Sequence, residues 1–328
     1  GSTMNPPTWL ASDPAMNAFT ASRSSNGMTV DQSVTGSKPP HLLPPEERSK
    51  MVPKKEMFID VGAGSKEEAL ELGVRPGVHV GLFLPNTPHY LVAFFGILKA
   101  GGTVVNYSPL DAPQVLAHKV EDSETSILVT LDLPMLLPQM EPLVGHGPLR
   151  TLVVGGLDDL AGFPEYEGPQ DGAVSGSNAR VTFRALLAND GAYQPYPIGD
   201  PAETLAVLQY TGGTTGLPKG AMLTHGNLTA ATSQYIETTK VDPPVLVAGE
   251  ERALLVLPLF HIYSLTACML LCMRLGAESV IHIRFDVEAV AKDLAAKKIT
   301  VFMGVPTMFT ALLSYPGLGE LDWTSMKY

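Results

Sequence analysis

The sequence predicts an α/β protein with two doubly wound, mainly parallel sheet subdomains. Short apolar runs alternate with helical segments at strand–helix–strand spacing, the pattern of parallel βαβ units. That alternation occurs twice, on either side of a Pro-, Gly- and Asp-rich stretch at 131–200. The chain has 328 residues, of which 45% are hydrophobic and 17% charged, enough for more than one core.

In the first array, residues 78–84 read as a strand and 88–99 as an apolar helix that opens on Pro88 and stops at Gly101-Gly102. Residues 103–107 form a second strand. Asp111 can cap a helix running to about Asp122, and 126–130 form a third strand. Within 131–200, residues 151–155 read as a short strand and 181–188 as a helix or a strand–helix piece, with the rest as surface connection. In the second array, 204–210 is a buried strand, and Thr224 or Asn227 caps a helix to about Thr239. A strand at 253–257, a turn at 258–263 and an apolar helix to Leu275 with its stop at Gly276 follow. A strand at 279–283, a helix capped by Asp286 and ending near Lys298, a strand at 300–303 and a last helix after 304–307 complete it. The expected organisation is an arm over 1–37, a separate strand–helix segment over 38–77, a first subdomain over 78–200 and a second over 201–328.

Residues 1–37 are rich in Ser, Thr, Asn and Gly without sustained periodicity, and read as loop. Residues 38–77 hold a strand at 57–61 and a helix with a Ser65/Glu68 capping box and a stop at Gly73. His41, Asp60 and Glu68 are the tempting metal ligands there. A loop, a strand and a helix seldom bring three such groups together by chance, so no catalytic metal is expected.

The most specific stretch is Tyr210-Thr-Gly-Gly-Thr-Thr-Gly-Leu-Pro-Lys-Gly220. An apolar run enters it and Ala221-Met-Leu leaves it. Gly212, Gly213 and Gly216 let the backbone turn and approach a ligand closely. Thr211, Thr214 and Thr215 supply hydroxyls, and Lys219 supplies one positive charge. Successive N–H groups in such a turn make an anion-binding concavity suited to a phosphate chain. The string is not the usual P-loop, because Pro218 precedes the lysine and a strand, not a helix, follows.

The full string resembles the phosphate-binding signature of the adenylate-forming enzymes: acyl-CoA synthetases, luciferases and nonribosomal-peptide adenylation domains. Leu84-Pro-Asn-Thr-Pro, Ala100-Gly-Gly-Thr-Val-Val-Asn-Tyr-Ser-Pro and Pro258-Leu-Phe-His are similar to further segments of that family. The resemblance covers roughly residues 74–325. Residues 38–77 resemble instead an accessory-domain segment of the M42 metallo-aminopeptidases, which places a junction near Gly77. None of that family's catalytic motifs is found in the sequence.

The ligase resemblance implies ATP-dependent activation of a carboxylic acid, most simply a fatty acid, to acyl-adenylate and then acyl-CoA. It implies that Thr211, Gly212, Gly213, Thr214, Thr215, Gly216 and Lys219 hold the β- and γ-phosphates of ATP, with Thr214 also at a position that contacts magnesium. It implies that Phe260, His261, Gly304, Val305 and Pro306 border the acyl pocket, with CoA as the thiol. The family's adenine, ribose and magnesium segments and its mobile C-terminal domain with the catalytic lysine have no match up to Tyr328. The chain therefore reads as an N-terminal part without catalytic residues of its own, inactive alone.

A non-catalytic nucleotide- or acyl-binding fragment and an M42-like peptidase remain as alternatives. The net charge of −11 offers no basic face for a nucleic acid. Cys268 and Cys272 read as a buried reduced pair, which points to a cytoplasmic location. No apolar run is long enough to span a membrane, so membrane contact is at most peripheral. Homodimer formation is left open.

Overall fold

The computed structural model describes residues 72–157, 159–160, 179–187, 196–211, 217–241 and 243–328. The strand at 57–61 and the Ser65/Glu68 capping box lie outside them, as do His41, Asp60 and Glu68. The described residues fall into two compact units. One holds residues 72–84 and Pro88–Thr229; the other holds Pro85–Thr87 and Ala230–Tyr328.

The first unit is built on a seven-stranded sheet in the order β5-β4-β3-β1-β2-β6-β7. Its strands are β1 (His79–Leu82), β2 (Thr103–Asn106), β3 (Ile127–Leu131), β4 (Thr151–Gly155), β5 (Ala179–Thr182), β6 (Leu205–Thr211) and β7 (Lys219–Thr224). Every neighbouring pair is parallel except β6–β7. The chain goes from β1 to β2 on one side and then crosses to β3 on the other, the reversal expected of a doubly wound sheet. The β1–β4 strands are buried along nearly their whole length because parallel strands are covered on both faces.

Helix α1 (Pro88–Lys99) has the predicted bounds. Proline fits the first turn, where its missing N–H is not needed. At the other end Gly101 takes a φ of +83°, and Gly102 N–H returns to the Ile97 carbonyl. Helix α2 (Pro113–Asp122) corrects one expectation: its N-cap is Ala112, with no side-chain cap bond. Pro113 sets the helix start one residue beyond Asp111, whose carboxylate instead accepts from the buried Lys119 Nζ at 2.5 Å. The connection after β3 also differs from a plain surface loop. It contains the one-turn α3 (Leu137–Met140), and Leu136, Leu137, Met140 and Leu149 are buried. Residues 179–187 resolve as β5 followed by α4 (Phe183–Leu187).

The division expected at residue 200 is not the one found. β6 pairs with β2 through Val104–Val207, Val105–Leu208 and Asn106–Gln209, so it completes the first sheet and does not open a second. A side-chain bond reinforces the pairing: Asn106 Nδ2 donates to Gln209 Oε1 at 2.9 Å. The break falls instead inside α5 (His225–Thr239), between Thr229 and Ala230. Either Thr224 or Asn227 was expected to cap this helix; the two open it together. Asn227 N–H donates to Thr224 Oγ1 at 3.2 Å, and Thr224 N–H donates to Asn227 Oδ1 at 3.0 Å, a reciprocal capping box.

The second unit has a three-stranded parallel sheet in the order β10-β8-β9, from β8 (Arg252–Leu255), β9 (Glu278–Ile281) and β10 (Val301–Phe302). Asp286 caps α7 (Val287–Ala296), accepting from Ala289 N–H at 2.9 Å. The apolar helix after the 258–263 turn is a π-helix over Ser264–Leu270 that passes into α6 (Leu271–Leu275). Gly276 ends it with a φ of +61°. All seven residues of the π segment are buried. Cys268 and Cys272 are free and buried, and burial pushes the Cys268 thiol up to about 11. The last helix is α8 (Pro306–Leu313). No helix among the described residues is long and apolar enough to cross a membrane.

One buried group gives the fold a pH dependence. His225, 3% exposed, has no partner for Nδ1 among the described residues, and burial holds its pKa down to about 4 from an ordinary 6.5. As pH falls below 6.5 the unfolded chain takes a proton that the folded chain refuses until about pH 4. Stability is therefore expected to decline by about 1.4 kcal/mol per pH unit across that window. Denaturant titrations from pH 7 to 4 on the protein and on His225→Gln check this; the variant is expected to show a shallower decline, and equal slopes would remove His225 as its source.

Candidate functional site

The glycine- and threonine-rich stretch lies in the first unit as the connection of a β-hairpin. β6 and β7 are antiparallel, and the register pairs Thr211 with Lys219 and Tyr210 with Gly220. Residues 212–218 therefore bridge two hydrogen-bonded strands. No crossover helix fits in so short a connection, so the strands must run antiparallel. This is the strand–loop–strand arrangement expected, distinct from the strand–helix setting of a P-loop. Thr211 and Lys219 are exposed at the two stems. Gly212, Gly213, Thr214, Thr215 and Gly216 lie outside the described residues.

Side chains from α2 hold both stems. Tyr210 Oη donates to Asp122 Oδ2 at 2.5 Å, and His118 Nε2 lies 3.1 Å from the Pro218 carbonyl oxygen. A carbonyl only accepts, so Nε2 carries the proton. Burial and then the bond to Asp122 push the Tyr210 phenol well above its ordinary range, which keeps it a donor. Lys119 Nζ lies 5.2 Å from the centre of the Tyr210 ring. A Cβ at Gly220 would sit 3.3 Å from the same ring, so the two strands meet closely there. Behind the stem, Tyr107 Oη donates to Thr125 Oγ1 at 2.8 Å, and its own pKa rises to about 12, chiefly through burial.

The other predicted residues lie in the second unit. Phe260 and His261 follow β8; Gly304, Val305 and Pro306 follow β10. These strands are parallel neighbours, and the chain leaves β8 toward β9 on the side away from β10. The carboxyl ends of two such strands flank a topological switch point, where α/β sheets bind ligands. Both turns thus follow neighbouring parallel strands of one sheet. The phosphate loop was expected to belong to this half as well; it belongs to the first sheet instead.

The Phe260–His261 turn is fixed by a residue not singled out from the sequence. Asn86 is 2% exposed; its Nδ2 donates to the Leu257 carbonyl at 2.9 Å, and its Oδ1 accepts from Leu259 N–H at 2.8 Å. Ser264 Oγ adds a second donor to the Leu257 carbonyl at 2.8 Å. His261 N–H closes the turn onto the Pro258 carbonyl at 2.9 Å. His261 is exposed, and its Nδ1 accepts from Tyr263 N–H at 3.3 Å, so the neutral ring carries its proton on Nε2. In the second turn Pro306 opens α8, and Phe309 packs over Gly304, where a Cβ would come within 2.8 Å of the ring. Glycine at 304 leaves room for that ring. No group of three or more His, Cys, Asp or Glu side chains able to hold a metal is present among the described residues.

A model of the AMP-binding enzyme family matches residues 68–327. The M42 glutamyl aminopeptidase family matches residues 23–87, most of which lie outside the described residues. The long-chain-fatty-acid–CoA ligase of Bacillus subtilis is 34% identical over 263 residues, 78% of this chain and 46% of that protein. The ligase of the same description from Escherichia coli O157:H7 is 36% identical over 273 residues, with the same coverage. The crystal structure of a long-chain-fatty-acid–CoA ligase from Archaeoglobus fulgidus superposes with a TM-score of 0.66 at 24% identity, over 83% of this chain and 50% of that one. The chain spans about half the length of the curated relatives it matches.

Proposed function

The chain belongs to the AMP-binding enzyme family, and on that premise we propose that it forms the phosphate- and acyl-binding part of an acyl-CoA ligase acting on fatty acids. A carboxylate oxygen of the acid attacks the α-phosphorus of ATP, and the bond to the β-phosphate bridging oxygen breaks. Acyl-adenylate and pyrophosphate result. The CoA thiolate then attacks the acyl carbon, and AMP leaves with the electron pair of the acyl–oxygen bond. Protein groups have little covalent work in such a transfer; placement and neutralisation of developing charge do most of it.

The observation that carries the proposal is the hairpin stem pairing Thr211 with Lys219. It fixes the two ends of the glycine–threonine connection that would hold the β- and γ-phosphates through Thr211, Gly212, Gly213, Thr214, Thr215, Gly216 and Lys219. Magnesium would arrive on the phosphates, with Thr214 a candidate protein contact. It would neutralise phosphate charge there. The turns at 260–261 and 304–306 would border the acyl chain, with His261 presenting Nε2–H. A cytoplasmic location fits the buried, free Cys268 and Cys272.

Residues 1–328 alone are proposed to bind nucleotide without completing the reaction, a reading supported by their spanning about half the length of the ligases they match. The test supplies the purified chain with ATP, magnesium, CoA and fatty acids of several lengths, and follows AMP and thioester. ATP binding without thioester is expected. Thioester above the buffer control, abolished by Gly213→Val, would show that these residues suffice. Absence of ATP binding would defeat the ligase reading itself.

A further inference from the structure

His118 and Asp122 stand four residues apart on α2, which puts them on one helix face a turn apart. Each grips a different side of the same hairpin. Asp122 accepts from Tyr210 Oη at 2.5 Å, one residue before β6 ends at Thr211. His118 donates to the Pro218 carbonyl at 3.1 Å, one residue before β7 begins at Lys219. Lys119 lies between them, buried, tied to Asp111 at 2.5 Å and 5.2 Å from the Tyr210 ring centre. Nothing in the local pairing of β6 with β7 demands these bonds. A hairpin stem is closed by its own ladder, whereas this one is also clamped from a helix about a hundred residues earlier, at both entry and exit.

We infer that His118 and Asp122 are positioning residues for the stem of the glycine–threonine stretch, holding Tyr210 and Pro218 in place before a phosphate arrives. This deepens the reading of the loop as a nucleotide phosphate site and rests on it. The physical reason is preorganisation. Donors already fixed toward an anion spare the ligand the cost of ordering them. Neither residue touches the phosphates in this scheme; each acts through the stem it holds.

Four variants test it in the full chain: His118→Ala, His118→Gln, Asp122→Ala and Tyr210→Phe. Gln retains an N–H donor at comparable reach, and Phe keeps the ring packed against Gly220 while removing the hydroxyl. Amide hydrogen exchange at Thr211, Lys219 and Gly220 reports the stem directly, and calorimetry with ATP reports the loop. In His118→Ala, exchange at Lys219 and Gly220 is expected to rise about tenfold, as for a locally opened segment. ATP affinity is expected to fall about five- to tenfold, with both effects reversed in His118→Gln. Tyr210→Phe and Asp122→Ala are expected to speed exchange at Thr211 to a similar extent. Unchanged exchange in His118→Ala and Tyr210→Phe, or a His118→Gln variant no better than the alanine, would overturn the inference. A parent chain that binds no ATP overturns the phosphate reading separately, and the exchange rates still decide whether α2 clamps the stem.

Discussion

Gly213→Val is expected to lower ATP affinity on the order of 100-fold in a chain that still folds. Gly213 sits inside the connection between Thr211 and Lys219, whose ends are pinned by the β6–β7 register. The added Cβ and methyls would occupy the space through which a phosphate must approach the backbone N–H groups. Loss of two charge-assisted hydrogen bonds at about 1.5 kcal/mol each amounts to about 3 kcal/mol, which is the factor stated. Lys219→Ala should cost less, because Lys219 is exposed and the backbone donors remain. Calorimetry on the two variants checks the order. An unchanged affinity in a folded Gly213→Val protein would remove the loop from phosphate binding.

Asn86→Ala is expected to destabilise the second unit by roughly 3 kcal/mol. Its amide makes two buried bonds to the Leu257–Leu259 segment, one in each direction. Truncation leaves the Leu257 carbonyl with Ser264 Oγ as a donor but leaves Leu259 N–H, buried inside the turn, without its acceptor. An orphaned buried N–H costs about 1–3 kcal/mol beyond the bond itself. Because the turn continues into Phe260 and His261, the same change should loosen the edge where an acyl chain would lie. Denaturant unfolding and the exchange rate of the Leu259 amide measure both effects. A loss below about 1 kcal/mol with Leu259 still slow to exchange would mean that the turn holds itself.

Elements bounded by strong local signals were legible in the sequence. Pro88 and Gly101 delimit α1, and β4 has the predicted ends Thr151 and Gly155. The reciprocal Thr224–Asn227 cap and the Asp286 cap follow from side-chain chemistry within four residues. The Asp111 cap failed for an equally local reason, since Pro113 moves the helix start past it.

Sheet membership was not legible. The run at 204–210 says that a strand is buried, but not that it pairs with β2, about a hundred residues earlier. The π turn at Ser264–Leu270 was also hidden, because a segment buried on every side shows no periodicity from which to read residues per turn.

The candidate site divides in the same way. Gly220 and a short apolar run after Lys219 indicated a strand, and β7 is that strand. Asn86 and His118 were invisible because their partners lie 173 and 100 residues away. One signal could have drawn attention to Asn86: a polar residue set between Pro85 and Pro88, directly after the apolar strand β1, where α/β sheets carry their functional loops.

The most direct test of the central claim is a titration of the isotopically labelled chain with ATP and magnesium, following backbone amide shifts residue by residue. Saturable shifts are expected at Thr211, Lys219 and the glycines between them, with one ATP bound per chain, and none in Gly213→Val. Saturable shifts confined to other segments, with these amides unmoved, would contradict the assignment of the phosphate site.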